Sequence, residues 1–154
     1  MMTAHISKEM HNILLKKIKE KKDPLTLIID SSHDSSANHI CILLFQTLED
    51  DVPVVHFYRA LHFGARSRGI DYQREITKAF VDDDIMSEVK SSLVAWTSDG
   101  ASNMLSEDVG AAILLSDTLD KKLYKTHCEA HRSAYYTTGG PRLTQILCPW
   151  QHRT

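Results

Sequence analysis

Two aspartates stand out because each follows a short apolar run, the pattern by which a strand carries a polar side chain to the end of a sheet. Asp30 follows Leu25–Ile29, and Asp99 follows Leu93–Thr97 and one serine. Carboxylate oxygens and water are the ligands that Mg²⁺ favours, and two such ions about 3.5–4 Å apart can activate water or a hydroxyl against a phosphodiester. The alternatives are a turn former or helix cap at Asp30 and simple turn chemistry at Asp99-Gly100.

A second group of residues has the types that bind zinc. Cys128 and His131 provide two ligands, whereas a structural zinc site needs four. His127 and Cys148 could add two more, but Cys148 lies in a tail of different composition. A packed cysteine and a hydrogen-bonded histidine are the commoner arrangement, and we expect no zinc here.

Positive charge is local rather than general. Eighteen Lys and Arg against twenty Asp and Glu give a net charge of −2, so any binding of DNA depends on local basic patches. One candidate is the set of lysines near the N-terminus (Lys16, Lys17, Lys19, Lys21 and Lys22), and another is Arg66 with Arg68. The solvated face of a helix is the favoured interpretation of the lysines.

Length and composition indicate one ordinary globular domain. The chain has 154 residues, of which 42% are hydrophobic and 25% charged. Three cysteines are too few for a disulfide framework and favour a reducing compartment, nucleus or cytoplasm. No apolar run approaches the ~20 residues of a membrane helix, so we expect a soluble protein with no membrane contact. We also expect no small-molecule cofactor.

The hydrophobic pattern predicts an α/β order of elements. An amphipathic helix begins near Ser7 and ends before Asp23-Pro24, and a broken helix pair is interrupted near Asp82–Asp84. Further helices are expected over Val109–Leu119 and from Ala130 to Tyr136. The predicted strands are Leu25–Ile29, His39–Thr47, Val52–His62, Leu93–Thr97 and Leu123–Cys128.

Three antiparallel strands followed by alternating helices and strands is the order of an RNase H-like mixed sheet. In that arrangement the first strand is central and neighbours the fourth through a right-handed crossover. Asp30 and Asp99 would then lie at adjacent strand ends, since neighbouring strands are about 4.8 Å apart.

Four segments in this order resemble a known family. LIIDSSHDSS, NHICILLFQTLEDDVPVVHFYRAL, LVAWTSDGASNM and HCEAHR are similar to the RNase H-fold catalytic domain of hAT-type transposases, especially the domesticated, zinc-finger-associated members. The resemblance runs from about Ile6 to Tyr136. It implies that Asp30 and Asp99 are two arms of a D-D-E metal site, and that Cys128 and His131 lie near the scissile DNA.

The chain also departs from the family pattern. His33 stands where relatives usually have Thr, and the family's catalytic Glu follows a large helical insertion that these 154 residues do not contain. The family's zinc finger and C-terminal dimerisation segment do not appear either. We therefore expect a truncated, catalytically inactive domain in which Asp30 and Asp99 bind Mg²⁺ weakly, if at all.

The predicted organisation has three parts. Residues 1–23 form the N-terminal helix, 24–136 a partial RNase H-like transposase domain, and 137–154 an irregular tail that contains Gly139-Gly140-Pro141. Two alternative functions stay open: a non-catalytic module that binds a nuclear protein, and a weak metal-dependent nuclease.

Overall fold

A five-stranded mixed sheet with helices forms the described part of the chain, which a computed structural model gives for residues 2–33, 39–64 and 67–128. The elements in chain order are α1 (Met2–Glu20), β1 (Leu25–His33), β2 (His39–Glu49), β3 (Val52–Phe63), α2 (Gly69–Asp82), α3 (Met86–Ser92), β4 (Leu93–Ser98), α4 (Ser102–Leu105), α5 (Ala111–Thr118) and β5 (Tyr124–His127). The predicted α/β class and the predicted order of strands are confirmed.

The strand order in the sheet is β3-β2-β1-β4-β5, so the first strand is central as the sequence predicts. β1 pairs with β2 antiparallel and with β4 parallel. β2 pairs antiparallel with β3, and β5 pairs parallel with β4. The parallel pairing of β1 with β4 requires a crossover, and α2 and α3 supply it.

Alternation along the strands divides the sheet into two different faces. One face, here called the helix face, carries the buried Leu27, Leu43 and Trp96 and shares one hydrophobic cluster with residues of α1, α2 and α5. The opposite face, here called the outer face, carries Asp30 opposite Ile42. Ile42 is 36% exposed, so apolar side chains on the outer face remain in contact with solvent.

The β2–β3 hairpin turns at two aspartates. Asp50 and Asp51 have φ angles of 50° and 63°, which is the left-handed region required at both central positions of a type I′ turn. Asp tolerates this region better than most residues because its short side chain forms local hydrogen bonds. The predicted turn at Glu49-Asp50-Asp51 is therefore present with a specific geometry.

A bulge in β3 turns Tyr58 toward the helices. Leu43 pairs with Arg59 and Leu44 with Phe57, which leaves Tyr58 as the extra residue. The Tyr58 hydroxyl donates to Asp83 Oδ2 at 2.8 Å, and Arg59 Nη2 donates to the same carboxylate at 2.8 Å. Burial, reinforced by the Asp83 carboxylate, raises the pKa of Tyr58 and keeps the phenol protonated. These contacts fix the end of α2 against β3.

Several predicted boundaries are wrong. The first helix begins at Met2, so Ser7 lies inside the helix and is not its N-cap. β1 continues three residues beyond Asp30, because Ser31 to His33 pair with β2. The predicted helix over Val109–Leu119 is present as α5 only from Ala111, and the separate turn of helix α4 precedes it.

Part of the sequence interpretation lies outside the described residues. The helix expected from Ala130 to Tyr136, the irregular tail over 137–154, and Arg66, His131 and Cys148 belong to this part. Within the described part, no helix is long and apolar enough to cross a membrane.

A substitution at Gly69 would test how closely α2 packs against the segment between α4 and α5. A β-carbon on Gly69 would lie 2.1 Å from the Val109 carbonyl oxygen, whereas one on Gly64 would meet nothing within 4 Å. We expect Gly69→Ala to lower the free energy of unfolding by about 1–3 kcal/mol through overpacking. Gly64→Ala is the matched control and should change it by less than about 0.5 kcal/mol. Urea denaturation measures both, and equal effects would contradict this packing.

Candidate functional site

Asp30 lies on the outer face of the central strand. The neighbouring residue Ile29 is buried on the helix face, while the Asp30 side chain is exposed to solvent. The sequence places this aspartate at a strand end, but the structure places it within β1, opposite Ile42 of β2. The ladder with β2 holds the backbone of Asp30, whereas the ladder with β4 ends two residues earlier at Ile28.

Asp99 directly follows β4 and is partly exposed. One of its carboxylate oxygens accepts a hydrogen bond from the Ala101 backbone N–H at 3.3 Å. This is the turn chemistry that the sequence offers as an alternative for Asp99-Gly100. The turn contact occupies one oxygen, and it also fixes the carboxylate beside the end of the strand.

The parallel register brings Asp30 and Asp99 to neighbouring positions. Leu27 pairs with Trp96 and Ile28 with Thr97, so two residues further along each strand stand Asp30 and Asp99. Because side chains alternate along a strand, Asp30 lies on the same face as Ile28, whereas Asp99 follows the last residue of β4. The two predicted residues therefore each stand two positions beyond the last described pair of the β1–β4 ladder.

The charges of Asp30 and Asp99 both affect the pKa of the Cys41 thiol. Burial raises the pKa of Cys41 to about 12, and the charges of Asp30 and Asp99 both act in the same direction. Cys41 lies on β2 opposite Ser31.

A metal held by Asp30 and Asp99 would have two protein carboxylates. Among residues 2–33, 39–64 and 67–128, no group of three or more His, Cys, Asp or Glu side chains is placed to hold a metal ion. Mg²⁺ usually keeps several waters and takes one or two carboxylates together with substrate phosphates. Two carboxylates are fewer than a two-metal cluster needs to hold both ions.

The end of β5 lies beside the end of β4. The sequence suggested His127 only as a possible zinc ligand and did not predict its position next to Ser98 and Asp99. His127 pairs with Ser98, the residue before Asp99. A β-carbon on Gly100 would lie 2.7 Å from the His127 ring, so the imidazole packs against the Asp99-Gly100 turn. The sequence feature that could have predicted this position is that β4 and β5, which run parallel, both end in polar residues.

Cys128 is held by its backbone at the same edge. Its N–H donates to the Ser98 carbonyl at 2.7 Å, and its side chain is partly buried. The structure thus places Cys128 next to the strand that ends at Asp99. His131, the other half of the predicted DNA-proximal motif, lies outside the described residues.

A buried polar cluster on the helix face supports this end of the sheet. The Tyr72 hydroxyl lies 2.9 Å from Nδ1 of the buried His39. Burial raises the pKa of Tyr72 to about 12, and the Asp99 charge contributes to the same direction. The Asn103 amide donates to the Ser67 carbonyl at 3.3 Å. These contacts join α2 to β2, and α4 to the segment that precedes α2.

The predicted basic patches are largely neutralised by acids. Lys17 pairs with Glu49, Lys19 lies 3.0 Å from Asp84, and Lys16 lies 3.8 Å from Glu20. Arg68 lies 3.5 Å from Asp71. The described surface therefore offers a phosphate backbone fewer uncompensated cations than the sequence suggests.

A comparison of the chain with protein-family models finds no match, and a comparison with curated proteins finds none either.

Cys41 gives a direct test of this geometry. Since the thiolate is the reactive form, a thiol with a pKa of about 12 inside the sheet should resist alkylation at pH 8. We expect the partly exposed Cys128 to be modified under these conditions and Cys41 to react only after unfolding in urea. Peptide mass spectrometry distinguishes the two sites. Rapid labelling of Cys41 in the folded protein would contradict its burial beneath the carboxylates.

Proposed function

We propose that this chain is a transposon-derived RNase H-like domain, similar to the catalytic core of hAT transposases, and that it does not catalyse DNA cleavage or joining. The single observation that carries the proposal is the parallel register of β1 and β4, in which Ile28 pairs with Thr97 two residues before Asp30 and Asp99. This is the arrangement expected for two arms of a carboxylate metal site.

The sheet order supports the RNase H-like assignment. A central first strand between an antiparallel second strand and a parallel fourth strand is what the family resemblance implies, and the described order is β3-β2-β1-β4-β5. The same resemblance maps the aspartates of LIIDSSHDSS and LVAWTSDGASNM onto Asp30 and Asp99. Cys128, in the family's Cys-x-x-His signature, stands beside Ser98 at the same sheet edge.

The proposed lack of activity of these 154 residues rests on the number of carboxylates that they contain. Within the 154 residues no Asp or Glu follows Glu129, where the resemblance places the third arm on a late helix. Glu107 and Asp108 are exposed on the turn after α4, and neither belongs to a described group of metal ligands. Two carboxylates leave a pair of divalent ions insufficiently held and insufficiently neutralised.

The residues of the chain would then bind Mg²⁺ and a DNA phosphate without catalysing a reaction. Asp30 and Asp99 would hold one hydrated Mg²⁺ whose charge offsets the repulsion between carboxylates and a DNA phosphate. The imidazole of His127 packs at the same turn and can contact a phosphate oxygen there. The proposed function is therefore that of an inactive relative of the transposase, located where DNA and nuclear proteins are available.

A second candidate function is that of a protein-interaction module. On β3, Val55 is 52% and Phe57 is 56% exposed, and Ile42 is 36% exposed on the neighbouring strand. Large apolar side chains at this exposure, close together on one sheet, are typical of a surface that another protein covers.

The enzymatic question can be decided with carboxylate variants of the full chain. We expect these 154 residues not to nick supercoiled plasmid in Mg²⁺ or Mn²⁺, because they supply only two of the three carboxylates of the proposed site. Paramagnetic broadening by Mn²⁺ should nevertheless affect backbone amides near Asp30 and Asp99 first, and Asp99→Asn should remove that preference. Asp117→Asn, an exposed acid on α5, is the matched control and should leave the broadening unchanged.

Nicking that is lost in both Asp30→Asn and Asp99→Asn but kept in Asp117→Asn would overturn the proposed inactivity and restore the nuclease alternative. Broadening with no preference for Asp30 and Asp99 would remove the metal-site relationship itself.

A further inference from the structure

Asp99 stands just beyond the ladders that fix β4. The ladder with β1 ends at Thr97, and the ladder with β5 ends at Ser98. Asp99 therefore has no partner in the described ladders, whereas the backbone of Asp30 pairs with Ile42 of β2. The position of the Asp99 carboxylate thus depends on contacts outside the sheet.

Ser98 provides one of these contacts through its side chain. The residue is fully buried, and its hydroxyl donates to the Asp99 carbonyl oxygen at 3.0 Å. The hydroxyl oxygen also accepts the indole N–H of the fully buried Trp96 at 3.0 Å. The hydroxyl therefore links a large side chain of the core to the peptide group between Asp99 and Gly100.

The main chain of Ser98 is fixed as well. Its carbonyl oxygen accepts the Cys128 N–H at 2.7 Å, which extends the contact with β5 beyond the last ladder pair. The bond to the Asp99 carbonyl thus starts from a residue that β5 and the core both hold. Such a donor can restrict the turn that follows it, because the donor itself has little freedom.

The Asp99 side chain depends on the same turn. One carboxylate oxygen accepts the Ala101 N–H at 3.3 Å, a contact that spans Gly100. A rotation of the peptide between Asp99 and Gly100 would change the course of the turn and separate this N–H from the carboxylate. The bond from Ser98 to the carbonyl oxygen of that peptide opposes the rotation, because a planar peptide turns as one unit.

A purely structural role is the alternative for the Ser98 hydroxyl. The hydroxyl satisfies the Trp96 indole N–H, and a buried donor left without a partner lowers the free energy of unfolding. That role requires only an acceptor. The donated bond is directed at the Asp99 turn, and this second bond connects Ser98 to the proposed metal site.

We infer that Ser98 is a positioning residue for the Asp99 carboxylate, and that its donated hydrogen bond raises the affinity of the proposed site for a divalent cation. The inference rests on the proposed function, in which Asp30 and Asp99 hold one hydrated cation. A carboxylate whose orientation is fixed before binding loses less conformational freedom when the cation binds, so the complex is more stable.

A Mn²⁺ titration of the full chain tests the inference, with the broadening of backbone amide resonances as the measure of binding. We expect Ser98→Ala to raise the Kd for Mn²⁺ about three- to tenfold, the range of one hydrogen bond. Ser98→Thr keeps the hydroxyl on a residue type that suits a strand, and it should restore most of the affinity.

The Gly100 amide resonance shows whether the bond itself is present. This N–H belongs to the peptide group whose carbonyl oxygen accepts the Ser98 hydroxyl. Its chemical shift should therefore change in Ser98→Ala before any metal is added, and it should return toward its original value in Ser98→Thr.

Ser116→Ala is the matched control. The Ser116 hydroxyl is also buried, accepts the Leu123 N–H at 3.2 Å and donates to the Lys121 carbonyl oxygen, but it lies on α5. Both alanine variants should lower the midpoint of urea unfolding, and only Ser98→Ala should weaken Mn²⁺ binding. A role of Ser98 in stability alone would lower the midpoint without changing the Kd.

The possible failures are distinguishable. If the unsubstituted chain shows broadening centred on Asp30 and Asp99 and Ser98→Ala binds Mn²⁺ equally well, the positioning role is wrong while the proposed metal site stands. A loss of affinity in Ser98→Ala that Ser98→Thr does not restore would assign the effect to packing and would also overturn the inference. If the unsubstituted chain shows no broadening centred on the two aspartates, the metal site is wrong and the positioning role is wrong with it.

Discussion

The parallel ladder between β1 and β4 is the contact on which the rest of this fold depends. It joins the three-stranded antiparallel half of the chain to the half in which helices and strands alternate. Leu27 and Trp96 face each other in this ladder and are fully buried. The Trp96 indole N–H donates to Ser98 Oγ at 3.0 Å, so the largest core side chain is buried with its polar group satisfied.

The same ladder determines the candidate site. A slip of one residue would move Trp96 from the helix face to the outer face, and loss of a buried tryptophan from a core costs about 3–5 kcal/mol. Repulsion between solvent-exposed carboxylates is weaker, because water and salt screen it. The core therefore fixes the strand register that determines where Asp30 and Asp99 lie.

The sequence predicted the turns and helix ends that depend only on the backbone conformation of a few neighbouring residues. The turn at Asp50-Asp51 and the helix break at Asp84 both use positive φ angles that aspartate tolerates, so composition alone locates them. The end of β1 was missed because Ser31 to His33 are polar and are extended only by pairing with β2. The neighbours of the candidate site were missed for the same reason. Neither the alignment of His127 with Ser98 nor the position of Cys41 beneath the carboxylates is visible until strands are paired.

Charge pairing decides which kind of partner the described surface favours. Lys17, Lys19 and Arg59 each contact a carboxylate, which reduces the counterion release that drives DNA binding. Asp30 and Asp99 repel a phosphate unless a divalent cation lies between them. Apolar contact along β3 needs neither free cations nor metal. The apolar side chains exposed along β3, Val55 and Phe57 among them, are therefore the part of the described surface that depends least on charge for any contact.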